Sequence, residues 1–296
     1  MRRVVSVWLP TLPTDRLRRS GRVPPEHAPP GMPLVTSLHD GRWLVVASVD
    51  TTAAGQGLYA GMPLAQAQAL VPGLAIHPAE PEADAASLRD LSAWCLRYAP
   101  LTAAAPPDGI WLDVTGCAHL HGGETRLLRD LTSRLAAQGF AAQAAIADTP
   151  GMAHALARYG SAGGEVNHGE ANHVVADEGP PPTTGCGHTT GCGHTTGCGH
   201  TTGCGHTHAA KHAKGESRGW RAFARHDGGP RHDGGPDGAE HLPIVALRLP
   251  ADTLAALRLL GLERIGQLQV LPRAPLTRRF GPLVALRLDQ LQGAVL

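Results

Sequence analysis

Ala105-Pro106-Pro107-Asp108-Gly109-Ile110-Trp111-Leu112-Asp113-Val114-Thr115-Gly116 is the stretch that decides the fold. Two prolines interrupt whatever precedes it. The run from Gly109 to Val114 is then short, apolar and β-rich, as a buried strand should be. Asp-Val-Thr-Gly at its end reads as a turn in which Asp113 bonds the backbone just ahead of it. Working outward, Val4-Val5-Ser6-Val7-Trp8-Leu9-Pro10 suits a central strand, and Ala141 to Ala147 a further one. Between and after them lie helical patterns. Leu88, Leu91, Cys95 and Tyr98 form one stripe within 84–98, and Leu127, Leu128, Leu131 and Leu135 another that ends near Gly139. Pro150 opens a helix to about Tyr159. Alternation of this kind predicts an α+β domain over 1–160, with helices covering one face of a sheet.

Residues 14–75 read as a smaller mixed region, with a strand at Leu44–Val49 and a turn at Gly61-Met62-Pro63 leading into a helix that Pro72 and Gly73 stop. The pattern then fails over 161–240. Thr-Thr-Gly-Cys-Gly-His occurs four times in tandem from Thr183 to His206, and Arg-His-Asp-Gly-Gly-Pro twice from Arg225 to Pro236. Such composition buries too little apolar surface to offset chain entropy, so disorder is expected there. Periodicity returns over 241–296: a helix from Ala251 to Leu260, a tight hairpin from Gly261 to Gly266, a second helix from Gln267 and a third from Pro275 to Gln292.

A length of 296 residues gives a prior of about two domains. With three Phe and three Tyr, Ala and Leu must fill most of the interior. A net charge of +1 points to neither nucleic acid nor membrane. The segment from Leu242 onward differs: seven Arg against Asp252, Glu263 and Asp289 leave it at +4. The six Cys form no spaced disulfide framework, so reduced thiols and a cytoplasmic location are expected. No apolar run reaches the ~18–20 residues of a membrane span. Met1-Arg2-Arg3 before an apolar run looks superficially like a signal peptide, but Pro10 and Pro13 break it and a buried strand is the better reading.

Several stretches together resemble the ImuB group of Y-family (UmuC/DinB-like) DNA polymerase relatives. They are Val7-Trp8-Leu9-Pro10, Gly61-Met62-Pro63-Leu64-Ala65-Gln66-Ala67, the block from Pro107 to Gly123, Ala145-Ile146-Ala147-Asp148-Thr149-Pro150, and Pro272-Arg273 with Arg279-Phe280-Gly281-Pro282. The resemblance covers about 1–160 and 242–295. It implies polymerase-like fingers and palm and a helix-hairpin-helix thumb; the low-complexity insertion between them departs from the family. Active members carry an acidic pair at the second motif and a third acid on the first strand. This chain has Asp108 but Gly109 in the pair, with Trp8 and Pro10 at the first-strand acid positions. Thr51 and Ala54 fall where active enzymes hold the incoming triphosphate with Tyr and Arg. Two-metal phosphoryl transfer needs several carboxylates. The implied role is therefore a scaffold without a catalytic site or resident metal, acting in translesion synthesis and damage-induced mutagenesis. It would contact damaged or primer-template DNA, an ImuA-like protein, an error-prone replicative-type polymerase and a sliding clamp. The family's little finger and clamp-binding tail are missing from this chain, which reads as a fragment or truncated product.

Within the last segment, Gly261, Arg264, Gly266, Arg273, Arg278 and Arg279 are the candidate DNA contacts. Glycines can admit backbone N–H groups to a phosphate, and arginines add charge. An ordinary αα-hairpin with a solvated basic face explains the same residues. Cys117, His119 and His121 read as a turn rather than a ligand set. In the repeats, Cys186 and His188 are closer than the usual ligand gap. Two other functions stay open on the sequence: a weak Y-family polymerase using magnesium, and a metal-binding protein acting through the Cys/His array.

Overall fold

The computed structural model describes residues 2–21, 29, 31–160 and 238–295. The expectations for 161–237, disorder and metal binding by the repeats, lie outside the described residues.

Strand β1 (Val4–Trp8) lies between β6 (Gly109–Asp113) and β7 (Gln143–Ala147), antiparallel to both, and β5 (Leu101–Ala105) extends the sheet beyond β6. The register sets which residues share a face. Ala104, Ile110, Val7 and Ala144 form one cross-strand row, and Thr102, Leu112, Val5 and Ile146 the next. These rows pack under α4 (Pro81–Trp94) and α5 (Glu124–Ala137), where Leu88, Leu91, Cys95, Leu127, Leu128, Leu131, Leu135 and Phe140 complete the main core. Cys95 is a free thiol in this apolar layer, and burial pushes it up to about 12.

The alternate rows hold Trp8 with Gly109 and Ser6 with Trp111, and they face the other way. Helix α6 (Pro150–Tyr159) covers part of that face, so helices lie on both sides of the sheet, not on one as the sequence pattern predicts. The reversal is local. Thr149 caps α6 by accepting from the Met152 N–H at 3.1 Å, and its hydroxyl donates to the Leu291 carbonyl at 3.0 Å. Ala153 and Ala155 then let the helix approach closely. Strand β5 also escaped sequence reading. Leu-Thr-Ala-Ala-Ala carries no alternation, and only its pairing with β6 makes it a strand.

A second sheet, in the order β3-β2-β4, consists of β2 (Leu34–His39), β3 (Leu44–Val49) and β4 (Ala75–Pro78), accompanied by α2 (Thr51–Gly55) and α3 (Leu64–Leu70). Gly61 sits at φ 90°, and the turn it makes pins Met62 against β3 through the Gly61 N–H to Val46 carbonyl bond of 2.7 Å. Helix α1 (Leu12–Arg19) ties the two sheets together. Its Arg16 bonds Asp84 at 2.6 Å and Glu80 at 3.0 Å on the α4 side, while Arg18 reaches Asp50, the α2 cap, at 2.8 Å.

The C-terminal segment folds as a 3-10 turn (Ile244–Leu247) followed by α7 (Ala251–Arg258), α8 (Ile265–Gln269), α9 (Arg273–Phe280) and α10 (Pro282–Gln292). The single helix predicted from Pro275 to Gln292 is two, because Gly281 at φ 81° and Pro282 end one and start the next. The residues described from Gly238 onward already belong to this segment: Ala239 is fully buried, and the Glu240 carbonyl accepts the Gly266 N–H at 3.0 Å. This segment shares one apolar cluster with α6 and Trp111.

Leu131 is fully buried at the centre of the main core. Leu131→Ala should lower the unfolding free energy by about 2–5 kcal/mol, measured by urea titration followed by circular dichroism.

Candidate functional site: a carboxylate held by an indole and a guanidinium

The loop joining β5 to β6 places Asp108 at the edge of the α6-covered face, anchored by its carbonyl, which accepts the Leu9 N–H at 2.9 Å. Trp8 lies directly across from Gly109. Its indole Nε1 donates to Asp108 Oδ2 at 2.7 Å, and Arg158, near the end of α6, donates from NH2 to Asp108 Oδ1 at 2.6 Å. The same guanidinium lies 5.6 Å from the Trp8 ring centroid. Arg158 is 12% exposed in its side chain and Asp108 30%, so this is a partly desolvated, charge-assisted pair. Gly109 makes room for it. A Cβ there would lie 3.3 Å from Arg158 NH2 and 3.1 Å from the Ala105 carbonyl oxygen.

The donor set does not suit a pair of divalent cations. Magnesium asks for several oxygen ligands in near-octahedral array. Asp108 is one carboxylate, and each of its oxygens already accepts a hydrogen bond. Trp8, Pro10 and Gly109 offer no oxygen from their side chains. Among the described residues, no group of three or more His, Cys, Asp or Glu gathers into a metal site.

Beyond Arg158 the site turns basic. His154, one helical turn earlier on α6, stacks on Trp111 with centroids 6.1 Å apart. Burial, reinforced by Arg158, Arg248 and Arg287, pushes the imidazole down to about 3. None of these four residues was singled out from sequence. The His154/Arg158 spacing on α6 was the available signal, and it gains meaning only once α6 is known to lie over Trp8 and Trp111.

The other sequence candidates fall elsewhere. Thr51 and Ala54 are exposed on α2. Asp113 accepts the Thr115 N–H at 3.1 Å and faces Arg2 at 3.6 Å, as a turn carboxylate does; the Thr115 bonds hold it below its ordinary range. Cys117, His119 and His121 follow β6 in a 3-10 turn, with the His121 ring 5.3 Å from Tyr98.

In the C-terminal hairpin, Gly261 sits at φ 73°, and its N–H bonds the Arg258 carbonyl at 2.8 Å. Gln267 Oε1 accepts the N–H groups of Glu263 and Arg264, both at 2.8 Å, while Ile265 and Gly266 donate to Leu242 and Glu240. The backbone donors expected to meet a phosphate are thus engaged within the fold. Gly266 is small because Glu240 packs against it: a Cβ would meet Glu240 atoms at 3.0 Å. Arg273 joins α9 to α10 by bonding Asp289 at 3.0 Å. Arg264, Arg278 and Arg279 are exposed. Their side chains, not the hairpin backbone, are what a phosphate could reach.

Residues 29–158 match the impB/mucB/samB family. Protein ImuB of Caulobacter vibrioides is 36% identical over 238 residues in strain NA1000 / CB15N, and equally so in strain ATCC 19089 / CIP 103742 / CB 15. The chain is an ImuB homologue. The alignment takes in 80% of this chain and 38% of those relatives, so the chain spans about two fifths of their length. DinB from Sulfolobus solfataricus superposes with a TM-score of 0.61 at 16% identity, over 99% of this chain and 67% of that one. An insertion ternary complex of Dbh DNA polymerase gives 0.63 at 16% identity, over 99% and 68%. The fold of this homologue is thus mixed α+β and Y-family-polymerase-like. No described helix is long and apolar enough to cross a membrane.

His154 in the folded chain titrates well below an ordinary histidine, so the unfolded chain takes up a proton that the native state refuses. Stability should therefore fall as pH drops from the unfolded value of about 6.5 towards 3. The difference in unfolding free energy between wild type and His154→Gln should shrink across that window by up to a few kcal/mol and stay flat above pH 7. Denaturant titrations at stepped pH measure it.

Proposed function

We propose that this homologue is a non-catalytic, polymerase-like DNA-binding scaffold in translesion synthesis and damage-induced mutagenesis. The observation that carries the reading is the engagement of Asp108 by Trp8 and Arg158. Where two-metal chemistry requires clustered oxygens to hold two cations, the chain presents one carboxylate neutralised by a cation. Gly109 supports the same reading, since restoring an acid there would crowd Arg158. The exposed Thr51 and Ala54 offer no guanidinium for a triphosphate.

The partners in this proposal come from the resemblance: primer-template or damaged DNA, an ImuA-like protein, an error-prone replicative-type polymerase and a sliding clamp. Support for DNA in particular is the fold shared with polymerases, one of them seen as an insertion ternary complex, and the +4 charge of the segment after Leu242.

Purified chain incubated with primer-template, all four deoxynucleotides and magnesium or manganese should leave the primer unextended, and Asp108→Ala should leave that result unchanged. Extension that disappears in Asp108→Ala would overturn the reading in favour of a weakly active polymerase.

DNA affinity through Arg264, Arg278 and Arg279 should be independent of sequence and fall with salt. A log–log slope of roughly two to four in magnitude is expected, lowered by about one in Arg264→Ala. Fluorescence anisotropy of labelled duplex across a salt series measures it. A salt-insensitive isotherm would leave the hairpin as a purely structural element.

A further inference from the structure

Helix α6, the 3-10 turn that ends at Arg248, and α10 pack against one another beside Asp108, and each brings one arginine: Arg158, Arg248 and Arg287. Arg158 alone has a carboxylate partner. Arg287 NH1 donates to Gln290 Oε1 at 2.9 Å, and Arg248 makes no ion pair among the described residues. Arg158 NH1, Arg287 Nε and His154 Nδ1 are buried without a hydrogen-bond partner among the described residues. Buried polar atoms are seldom left so, and each one calls for an explanation.

Arg248 adds a backbone signal. At φ 54° it is the one non-glycine residue in the left-handed region among the described residues. Such a conformation persists only where the surroundings impose it, and it concentrates at functional positions. Burial and the charges of Arg287 and Arg158 hold this guanidinium below an arginine's ordinary range. With Asp108 balancing Arg158, the exposed Arg248 and the half-buried Arg287 carry positive charge with no carboxylate partner among the described residues, while His154 stays neutral. What would complete such a cluster is an anion. Planar guanidinium groups suit a phosphate, whose oxygens accept from their forked donors. Trp111, which stacks on His154, also walls a cleft of about 360 Å³ whose charged lining is Arg2 and Asp113, so that cleft is separate from the three arginines.

We propose that Arg158, Arg248 and Arg287 form a metal-independent phosphate site that takes a backbone phosphate of a DNA strand, next to the carboxylate Asp108. The inference rests on the scaffold reading above and gives it a specific contact: guanidinium groups hold a phosphate on the sheet face without a divalent cation. A free nucleoside triphosphate offers the same chemistry, and the experiment separates the two.

The full chain is studied in EDTA. Anisotropy of a short labelled single-stranded oligodeoxynucleotide is measured across a salt series for wild type, for Arg248→Ala with Arg287→Gln, and for Arg264→Ala with Arg278→Ala and Arg279→Ala. Tripolyphosphate and dATP serve as competitors and as ligands in thermal melts. The first double variant should weaken oligonucleotide binding by roughly tenfold and lower the salt slope by about one, for the single phosphate the site holds. Tripolyphosphate should raise the melting temperature of wild type and of the hairpin triple variant, but not of the Arg248/Arg287 variant. If that variant melts early on its own, Arg248→Lys with Arg287→Lys decides: recovered DNA binding supports the site, and persistent loss overturns it. Oligonucleotide binding equal to wild type in the Arg248/Arg287 variant overturns the proposal, as does dependence on these arginines for dATP alone. Neither result bears on primer extension, so the scaffold reading stands or falls separately.

Discussion

Burial of β1 on both faces is the constraint from which the site follows. A strand flanked by β6 and β7 has no free edge, so its residues can only face the α4/α5 layer or the α6 layer. Val5 and Val7 go to the first, and Ser6 and Trp8 to the second. Register therefore fixes Trp8 opposite Gly109, within reach of Asp108. The strand is also fastened at its start. Arg3 bonds Glu124 on α5 at 2.5 Å and Asp148 beyond β7 at 2.6 Å, so a slip in register would break a half-buried ion triad as well as turn every side chain over.

The consequence is electrostatic. A carboxylate at the edge of such a face would normally hold a metal ion or go to water. Here a guanidinium satisfies one oxygen and an indole the other. Geometry of this kind fixes side chains tightly, and Gly109 leaves room for it, because a Cβ there would come within 3.3 Å of Arg158 NH2. Further positive charge lies near this pair. Arg248 and Arg287 approach from the C-terminal helices, and their fields, with burial, keep His154 neutral at ordinary pH.

In the C-terminal hairpin the motif was legible locally, and the partners of its amides were not. Leu-Gly-Leu-Glu-Arg-Ile-Gly reads as half of a DNA-binding hairpin whose amides await a phosphate. In the fold, Gln267, Leu242 and Glu240 take up those amides. A buried N–H must find an acceptor, and the nearest acceptors belong to the chain itself. Glu240, at the end of the stretch read as low-complexity, and Leu242 supply two of them, and Ala239 and Leu242 form part of the helical core.

Sequence by itself determined the parts that depend on local periodicity and on deletions of chemistry. The helices from Pro150 to Tyr159 and around Leu127–Leu135, the strand after Asp108, and the turn at Gly61 were legible because apolar spacing and Pro/Gly punctuation encode them over a few residues. The expectation that Trp8, Pro10 and Gly109 stand at acid positions was legible because the resemblance compares residue types motif by motif. Strand β5, the face chosen by α6 and the break at Gly281 were decided by pairing and packing between distant segments. So was the surrounding of Asp108. Arg158 lies fifty positions from Asp108, and Arg248 and Arg287 farther still. Side chains so remote along the chain share one charged environment only after the sheet, α6 and the terminal helices have closed on each other, and no spacing in the sequence encodes that distance.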